Sequence, residues 1–430
     1  MDSPTRSILE YLTHELRSAV EEREKLPEGD ELDIPLEAEA LLRDVVRENA
    51  TDLHLDTKAE GLLVRMRVDG RVLDGVILTH EQGQRLANQF KAMARLSPVT
   101  RYQPEEGRST YKLEDQVLDL RVSQAPCLRG DKLSIRVLIL SMISHQLHTL
   151  GLCEDGLEHV HEWLGNISGM LLVAGPTGSG KTTTLYALLH QLKLHERNVV
   201  TIEDPVEYEV DGINHMQVDS RHGFGFPEGV KAMLHLDPDY MMLGEIRDKA
   251  SAHAAITAAT SGHALMSTLH SRDAVGVIDT LHHHGLCGHE ISSGLMLVIA
   301  QRLVRRVCLH CREEGAPSQE DVNWLTTLGR VAPERVWHAH GCNHCRGLGY
   351  HGRIGVFEVW RIDSDEYQLI LADSDRRTLY RHLAQRGHRF MLDAGLDKVT
   401  EGVTTLSELR SMGGYGVLAA IDQKKQKKGG

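Results

Sequence analysis

Residues 170–184 read MLLVAGPTGSGKTTT, an apolar run set directly against a glycine-rich turn and the helical pattern KTTTLYALLHQLK. The turn Gly175, Pro176, Thr177, Gly178, Ser179, Gly180, Lys181, Thr182 fits G-x-x-x-x-G-K-[ST], and it lies between a strand and a helix, the context that motif requires. The glycines let the backbone curl until successive N–H groups point at phosphate oxygens, and the helix N-terminus adds its partial positive charge. In this reading Lys181 meets the β- and γ-phosphates, Thr182 holds Mg²⁺, and Thr183 continues the cradle into the helix. The ligand class is therefore a nucleoside triphosphate, with ATP and Mg²⁺ as the expected cofactors. The alternative, a glycine turn that binds nothing, leaves the strand–turn–helix context unexplained.

Downstream, the strand-like segments NVVTIED, YMMLG and HALMSTLH each precede polar or helical sequence, the alternation a parallel α/β sheet requires. The stretch TIEDPVEY (201–208) ends a strand in Glu203, Asp204 and Glu207, at the sheet edge where ligands of α/β folds bind. Taken alone, that cluster is equally well a solvated strand end. DPDYMMLGEIRD (237–248) delivers Glu245, placed to orient or deprotonate a water attacking a γ-phosphate. SGHALMSTLHSRD (261–273) ends in His270, which is either a donor to a phosphate oxygen or a bland strand-end histidine.

The 430 residues suffice for about three domains. With 41% hydrophobic and 25% charged residues, the composition excludes disordered and collagen-like chains. A net charge of −13 argues against a nucleic-acid-coating surface. No run approaches a membrane span, and the N-terminus lacks an apolar leader core, so a cytosolic location is expected. The 26 histidines, including His282, His283 and His284, lack ligand-like spacing. Periodicity and turn signals divide the chain into an N-terminal helical adaptor and linker (1–30), an α+β domain with a mostly antiparallel sheet (31–144), a hinge (145–156), a P-loop domain (157–420) and a basic tail (421–430).

Seven cysteines in a presumed cytosolic chain do not suggest a disulfide framework. Four form the pairs Cys308/Cys311 and Cys342/Cys345, each C-x-x-C, inside an insert at about 305–350. Each pair presents two thiolates to one side of a metal, and together they make a closed tetrahedral Zn²⁺ site. A redox dithiol is the competing reading.

In this order the segments resemble the secretion and type IV pilus ATPases of the GspE/PilB/PilT superfamily. GPTGSGKTTT is similar to its Walker A, TIEDPVEY to its Asp box, LGEIRD to its Walker B and SGHALMSTLH to its His box. ATDLHLD with LLVRMRVDG resembles its N2 domain, and IAQRLVRRVCLHC, GRIGVFEV and DAGLDKVTEGVTTLSEL extend the likeness over nearly the whole chain. The fold implied is a RecA-like P-loop ATPase domain preceded by a PAS-like α+β N2 domain, with a tetracysteine zinc insert. The resemblance further implies Glu245 as catalytic base, Glu203 as Asp-box carboxylate, His270 as phosphate sensor, and Arg121 and Arg136 as N2 arginines reaching the γ-phosphate. It implies a homohexamer on the cytoplasmic face of the inner membrane, engaging a platform protein of a pilus or secretion machine, with no nucleic-acid partner. The tetracysteine element favours an assembly motor over a retraction or conjugation-linked ATPase. A nucleotide-gated ring subunit with little turnover is the other alternative. Two departures bear on these expectations. Only some 30 residues precede the N2-like part, so docking is expected to differ. In VKAMLHLDPD, Lys231 and His235 stand where the family carries two arginines, which would weaken phosphate sensing because histidine is mostly neutral at pH 7.

Overall fold

The computed structural model describes residues 12–24, 36–99, 102–140, 146–166, 168–192 and 194–413. They fall into two units, one drawn from residues 1–143 with 341–349, the other from 144–340 with 350–430.

In the first unit, strands β1 (Asp52–Thr57), β2 (Leu62–Val68), β3 (Arg71–Leu78), β4 (Glu105–Leu113), β5 (Gln116–Cys127) and β6 (Gly130–Ile139) form a sheet of order β3-β2-β1-β6-β5-β4, antiparallel throughout. Alternation decides its two faces. Leu53 and Leu55, Val64 and Met66, Leu120 and Val122, and Ile135 and Val137 are buried in one core with residues of the helices Leu36–Glu48 and His80–Met93. Residues of the opposite parity are mostly charged or polar, among them Asp52, His54, Arg65, Arg67, Asp119, Arg121, Ser134 and Arg136. The described part of the expected adaptor is the helix His14–Glu24, and it belongs to this core instead of standing apart. Leu12 and Leu16 are fully buried, and the buried carboxylate of Asp44 accepts the N–H groups of Glu15 and Leu16, closing donors a helix start leaves open. Ile8 and Leu9, which extend the expected helix, lie outside the described residues.

The second unit is built on seven strands in the order β15-β12-β7-β11-β10-β8-β9, with ranges β7 Gly169–Ala174, β8 Val199–Glu203, β9 Ile213–Gln217, β10 Tyr240–Leu243, β11 Ala264–Leu269, β12 Leu295–Val307 and β15 Tyr350–Arg361. All neighbours are parallel except β15, which runs antiparallel to β12. β7, β8, β10 and β11 are buried at every residue, as a sheet covered on both faces demands. The residues expected to form a hinge carry the helix Leu147–Leu150 and the start of the helix Glu154–Leu164, with Leu147 and Leu152 in the core. The β12–β15 connection holds the expected insert, with a small two-stranded sheet of β13 (Arg312–Gly315) and β14 (Val336–Ala339) and the helix Gln319–Thr327. The chain then runs through four helices to Leu406–Met412. The expected basic tail lies outside the described residues.

Candidate active site

Because β7, β8, β10 and β11 are parallel, their C-terminal ends open on one side of the sheet, and each motif read from the sequence sits at such an end. β7 delivers the turn 175–180 and the helix Lys181–Gln191. Gly178 and Gly180 adopt φ of 77° and 87°, the left-handed region that glycine enters without penalty. Gly175 is required for a different reason: a Cβ there would lie 2.4 Å from Ser179 Oγ and 2.5 Å from Gln301 O. Lys181 Nζ donates to the carbonyls of Gly175 (3.0 Å) and Pro176 (3.2 Å). Burial pushes the Lys181 ammonium below the usual lysine range, with the Glu245 carboxylate opposing. Ser179 Oγ is buried without a hydrogen-bond partner, while Thr182 and Thr183 are exposed at the helix start. An orphaned hydroxyl, open backbone amides and a cation inside a glycine turn fit a polyphosphate, and the exposed Thr182 hydroxyl fits Mg²⁺.

Glu245 follows β10 on a segment tied to β11 by Ile246 N–H donating to Thr268 O (2.9 Å) and Thr268 Oγ1 donating to Gly244 O (2.9 Å). The Glu245 carboxylate faces two cations and an imidazole. Arg247 Nε donates to Oε1, His270 Nε2 lies 3.6 Å from Oε2, and Lys181 feels its charge. Burial first, then the Lys181 charge, holds the His270 imidazole below its ordinary pKa, with Glu245 opposing. Glu245, Arg247 and His270 line one groove with Ile246, Thr280 and His284. Asp248, its neighbour in sequence, instead caps the helix Lys249–Thr260.

In TIEDPVEY the adjacent acids Glu203 and Asp204 part company. Glu203 is 3% exposed, and its oxygens are taken by Tyr186, Thr201 and His215. Asp204 is exposed and accepts from Arg247 Nη1 at 2.8 Å. Of this adjacent pair, the open carboxylate is that of Asp204. Sequence reading gave no role to Arg247, Tyr186, His215 or Gln301. Gln301 lies on β12 beside the P-loop, where its Oε1 accepts from Thr184 Oγ1 (2.7 Å), and no local signal marks it. Lys231 and His235 are both exposed; Lys231 is inside the helix Phe226–Leu234 and His235 caps its end.

In the first unit, Arg121 and Arg136 are directly opposed across β5 and β6. They are the middle of a row running Arg67, Asp52, Arg136, Arg121, Arg108 over five strands. Asp52 lies 3.3 Å from both Arg67 and Arg136, and Asp119 pairs with Arg108 (2.7 Å) and Arg121 (3.6 Å).

The sulfur atoms of Cys308, Cys311, Cys342 and Cys345 lie within 4.8 Å of one another. Zn–S bonds of about 2.3 Å in a tetrahedron put sulfurs about 3.8 Å apart, and Cys342 Sγ and Cys345 Sγ are 3.8 Å apart. Cys345 Sγ also accepts the N–H of Gly349 at 3.2 Å, the hydrogen bonding a thiolate ligand receives. The donor set fits zinc.

The family model described as type II/IV secretion system protein matches residues 28–411. The type II secretion system ATPase E of Vibrio cholerae is 35% identical over 396 residues, covering 90% of this chain and 78% of that one. The type II secretion system protein E of Pseudomonas aeruginosa is 38% identical over 372 residues, covering 86% and 73%. Among solved structures, the Legionella pneumophila ATPase DotB aligns with TM-score 0.66 at 20% identity, covering 91% of this chain and 98% of that one. The pilus retraction motor PilT with bound ADP aligns with TM-score 0.59 at 21% identity, covering 89% and 97%. At such identities these two structures speak for the fold alone.

Proposed function

The chain belongs to the type II/IV secretion system protein family, and from that premise we propose that it is an ATP-hydrolysing hexameric motor driving assembly of a type IV pilus or a type II secretion pseudopilus. It works at the cytoplasmic face of the inner membrane against a platform protein; among the described residues no helix is long and apolar enough to cross a membrane. ATP hydrolysis is the activity the family carries. The observation that supports it best in this chain is Glu245, a carboxylate whose charge reaches Lys181 in the phosphate cradle and which shares its groove with His270.

The P-loop amides and the Lys181 ammonium hold the phosphates, for which Lys181 must exchange the carbonyls of Gly175 and Pro176 for phosphate oxygens. Mg²⁺, when bound, would be held through Thr182 and would supply charge neutralisation at the phosphates. Glu245 orients the attacking water and accepts its proton. His270, kept neutral by its surroundings, donates to a phosphate oxygen. Arg121 and Arg136 add cationic help from the N2-like domain. Zn²⁺ bound by the four cysteines is structural, since a Cys₄ site has no open position. The tetracysteine insert also supports assembly over retraction as the direction of work. Inorganic phosphate released by the full-length chain with Mg·ATP tests the reading: steady turnover in wild type, lost in Glu245→Gln, supports a motor, and its absence points to a ring subunit that binds without turning over.

A further inference from the structure

Glu203 is a carboxylate with three donors and no open face. Tyr186 Oη donates to Oε2 at 2.5 Å, and Thr201 Oγ1 donates to Oε1 at 2.7 Å. His215 Nδ1 lies 2.8 Å from Oε1. The backbone fixes which way that last bond runs. Val210 N–H donates to His215 Nε2 at 3.1 Å, so Nε2 carries the lone pair and the ring proton sits on Nδ1, aimed at Glu203. Glu203, Thr201 and Tyr186 are at most 3% exposed, and the His215 side chain is 7% exposed. Burial, with Glu203 opposite, pushes the Tyr186 phenol far above the ordinary tyrosine range, so it stays protonated and donating.

These four side chains come from three elements that meet at the site. Tyr186 lies one turn beyond Thr182 on the P-loop helix, Thr201 and Glu203 on β8, and His215 on β9. The loop after β8 is pinned at three points, two of them on these side chains: Glu207 N–H donates to Tyr186 Oη (3.3 Å), Val210 N–H to His215, and Val206 N–H to Gln217 Oε1 (3.2 Å) on β9. Asp204 opens that loop, holds Arg247 at 2.8 Å, and Arg247 in turn holds Glu245. A path therefore runs from the P-loop helix to the general base, through the Tyr186–Glu203 hydrogen bond, the Glu203–Asp204 backbone, and the Asp204–Arg247–Glu245 ion pairs.

We infer that Tyr186, His215 and Glu203 are positioning residues, a buried anchor that fixes the Asp204 loop and, through Arg247, sets the orientation of Glu245. Glu203 then acts through its neighbours and does not touch water, metal or phosphate. The inference rests on the ATPase reading above and concerns the same site. A carboxylate already saturated by three donors would have to break all three to reach a ligand, leaving buried hydroxyls and an imidazole N–H unpaired. Asp204 needs no such rearrangement.

The test uses the full-length chain and separates turnover from binding. Tyr186→Phe, Glu203→Gln, Asp204→Asn and the double variant Tyr186→Phe/Glu203→Gln are compared for single-turnover hydrolysis of Mg·ATP and for the Kd of a fluorescent ADP. A loosened anchor misplaces Glu245 without dismantling the cradle. Tyr186→Phe and Glu203→Gln should each slow hydrolysis about tenfold, the scale of a small misplacement, with ADP affinity kept within about twofold, and the double variant should be no slower than the slower single. Asp204→Asn should slow hydrolysis in the same way. The inference fails if Glu203→Gln loses hydrolysis while Tyr186→Phe matches wild type, because Glu203 would then act on the reaction directly. It also fails if slowing comes only with loss of ADP affinity, which marks a general structural role. Should the buried Glu203→Gln not fold, Tyr186→Phe decides alone, and unchanged hydrolysis overturns the anchor. A wild type without turnover defeats the ATPase reading, whereas turnover indifferent to every anchor variant defeats the anchor alone.

Discussion

The two sheets solve opposite problems. β7 and β11 of the P-loop unit are buried at all six residues, and the sheet displays chemistry only where its strands end. In the N-terminal unit β2 alternates buried and half-buried residues along its length, and the charges lie across the strands in the row Arg67, Asp52, Arg136, Arg121, Arg108. A parallel sheet gathers its functional groups at an edge, each within a few residues of a motif. An antiparallel sheet gathers them by register, from positions far apart in the chain. Damage should therefore be catalytic and local in the first sheet, and graded in the second.

The largest effects are expected at the strand ends. Lys181→Ala should abolish nucleotide binding, whereas Glu245→Gln should keep ADP binding and lower turnover by about 10²-fold or more. Equal turnover in Glu245→Gln and wild type would erase the contrast at its strongest point. Next comes the insert. Metal analysis should find one zinc per chain, lost when Cys308 and Cys345 become serine, with the insert unfolding and ADP binding retained. Zinc retained after that change would refute the donor set.

A smaller loss is expected in the row of arginines. Arg121→Ala and Arg136→Ala should each lower turnover by about tenfold with ADP affinity unchanged, since charge stabilisation and not the cradle is removed. If both match wild type, the antiparallel sheet contributes nothing to hydrolysis. His235→Arg replaces the capping imidazole with a permanent cation, and a modest gain in turnover near pH 8, read from the pH profile, is the expected outcome. Identical profiles would mean that this face does not sense phosphate.

The smallest effect is on stability against pH. The folded state holds the His270 pKa below its unfolded value near 6.5, so the unfolded chain binds more protons below that pH. The stability at stake is therefore fully present above pH 6.5 and is lost as pH falls through the folded value. His270→Gln should show a slightly shallower fall in Tm between pH 7 and 5 than wild type, read by thermal melts. Parallel melts would mean that the imidazole is as easily charged folded as unfolded.

Legibility followed the same division. The cradle at 175–182, Glu245 and His270 were readable because a motif and the strand that aims it are contiguous in sequence, and the four cysteines were readable because ligand spacing is local. Arg67 and Arg108 joining Arg121 and Arg136 was not readable, since one row unites residues from five separate strands and only pairing fixes which are opposite. The same limit hid Gln301, which approaches the P-loop from β12, and His215, which meets Glu203 from β9. Glu203 and Asp204 look interchangeable in TIEDPVEY. Alternation along β8 turns one inward to Tyr186 and leaves the other at the strand end beside Arg247. The helix His14–Glu24 read as an adaptor because its sequence shows an apolar face but not the buried Asp44 that receives its first amides.

The central claim is that the strand ends of the parallel sheet form a working hydrolytic site. The direct test is the steady-state release of inorganic phosphate from Mg·ATP by the full-length chain, measured beside Glu245→Gln at matched ADP affinity. The account predicts linear phosphate release in wild type that falls by about 10²-fold in the variant. Wild-type protein that binds ADP yet releases phosphate no faster than Glu245→Gln would contradict it.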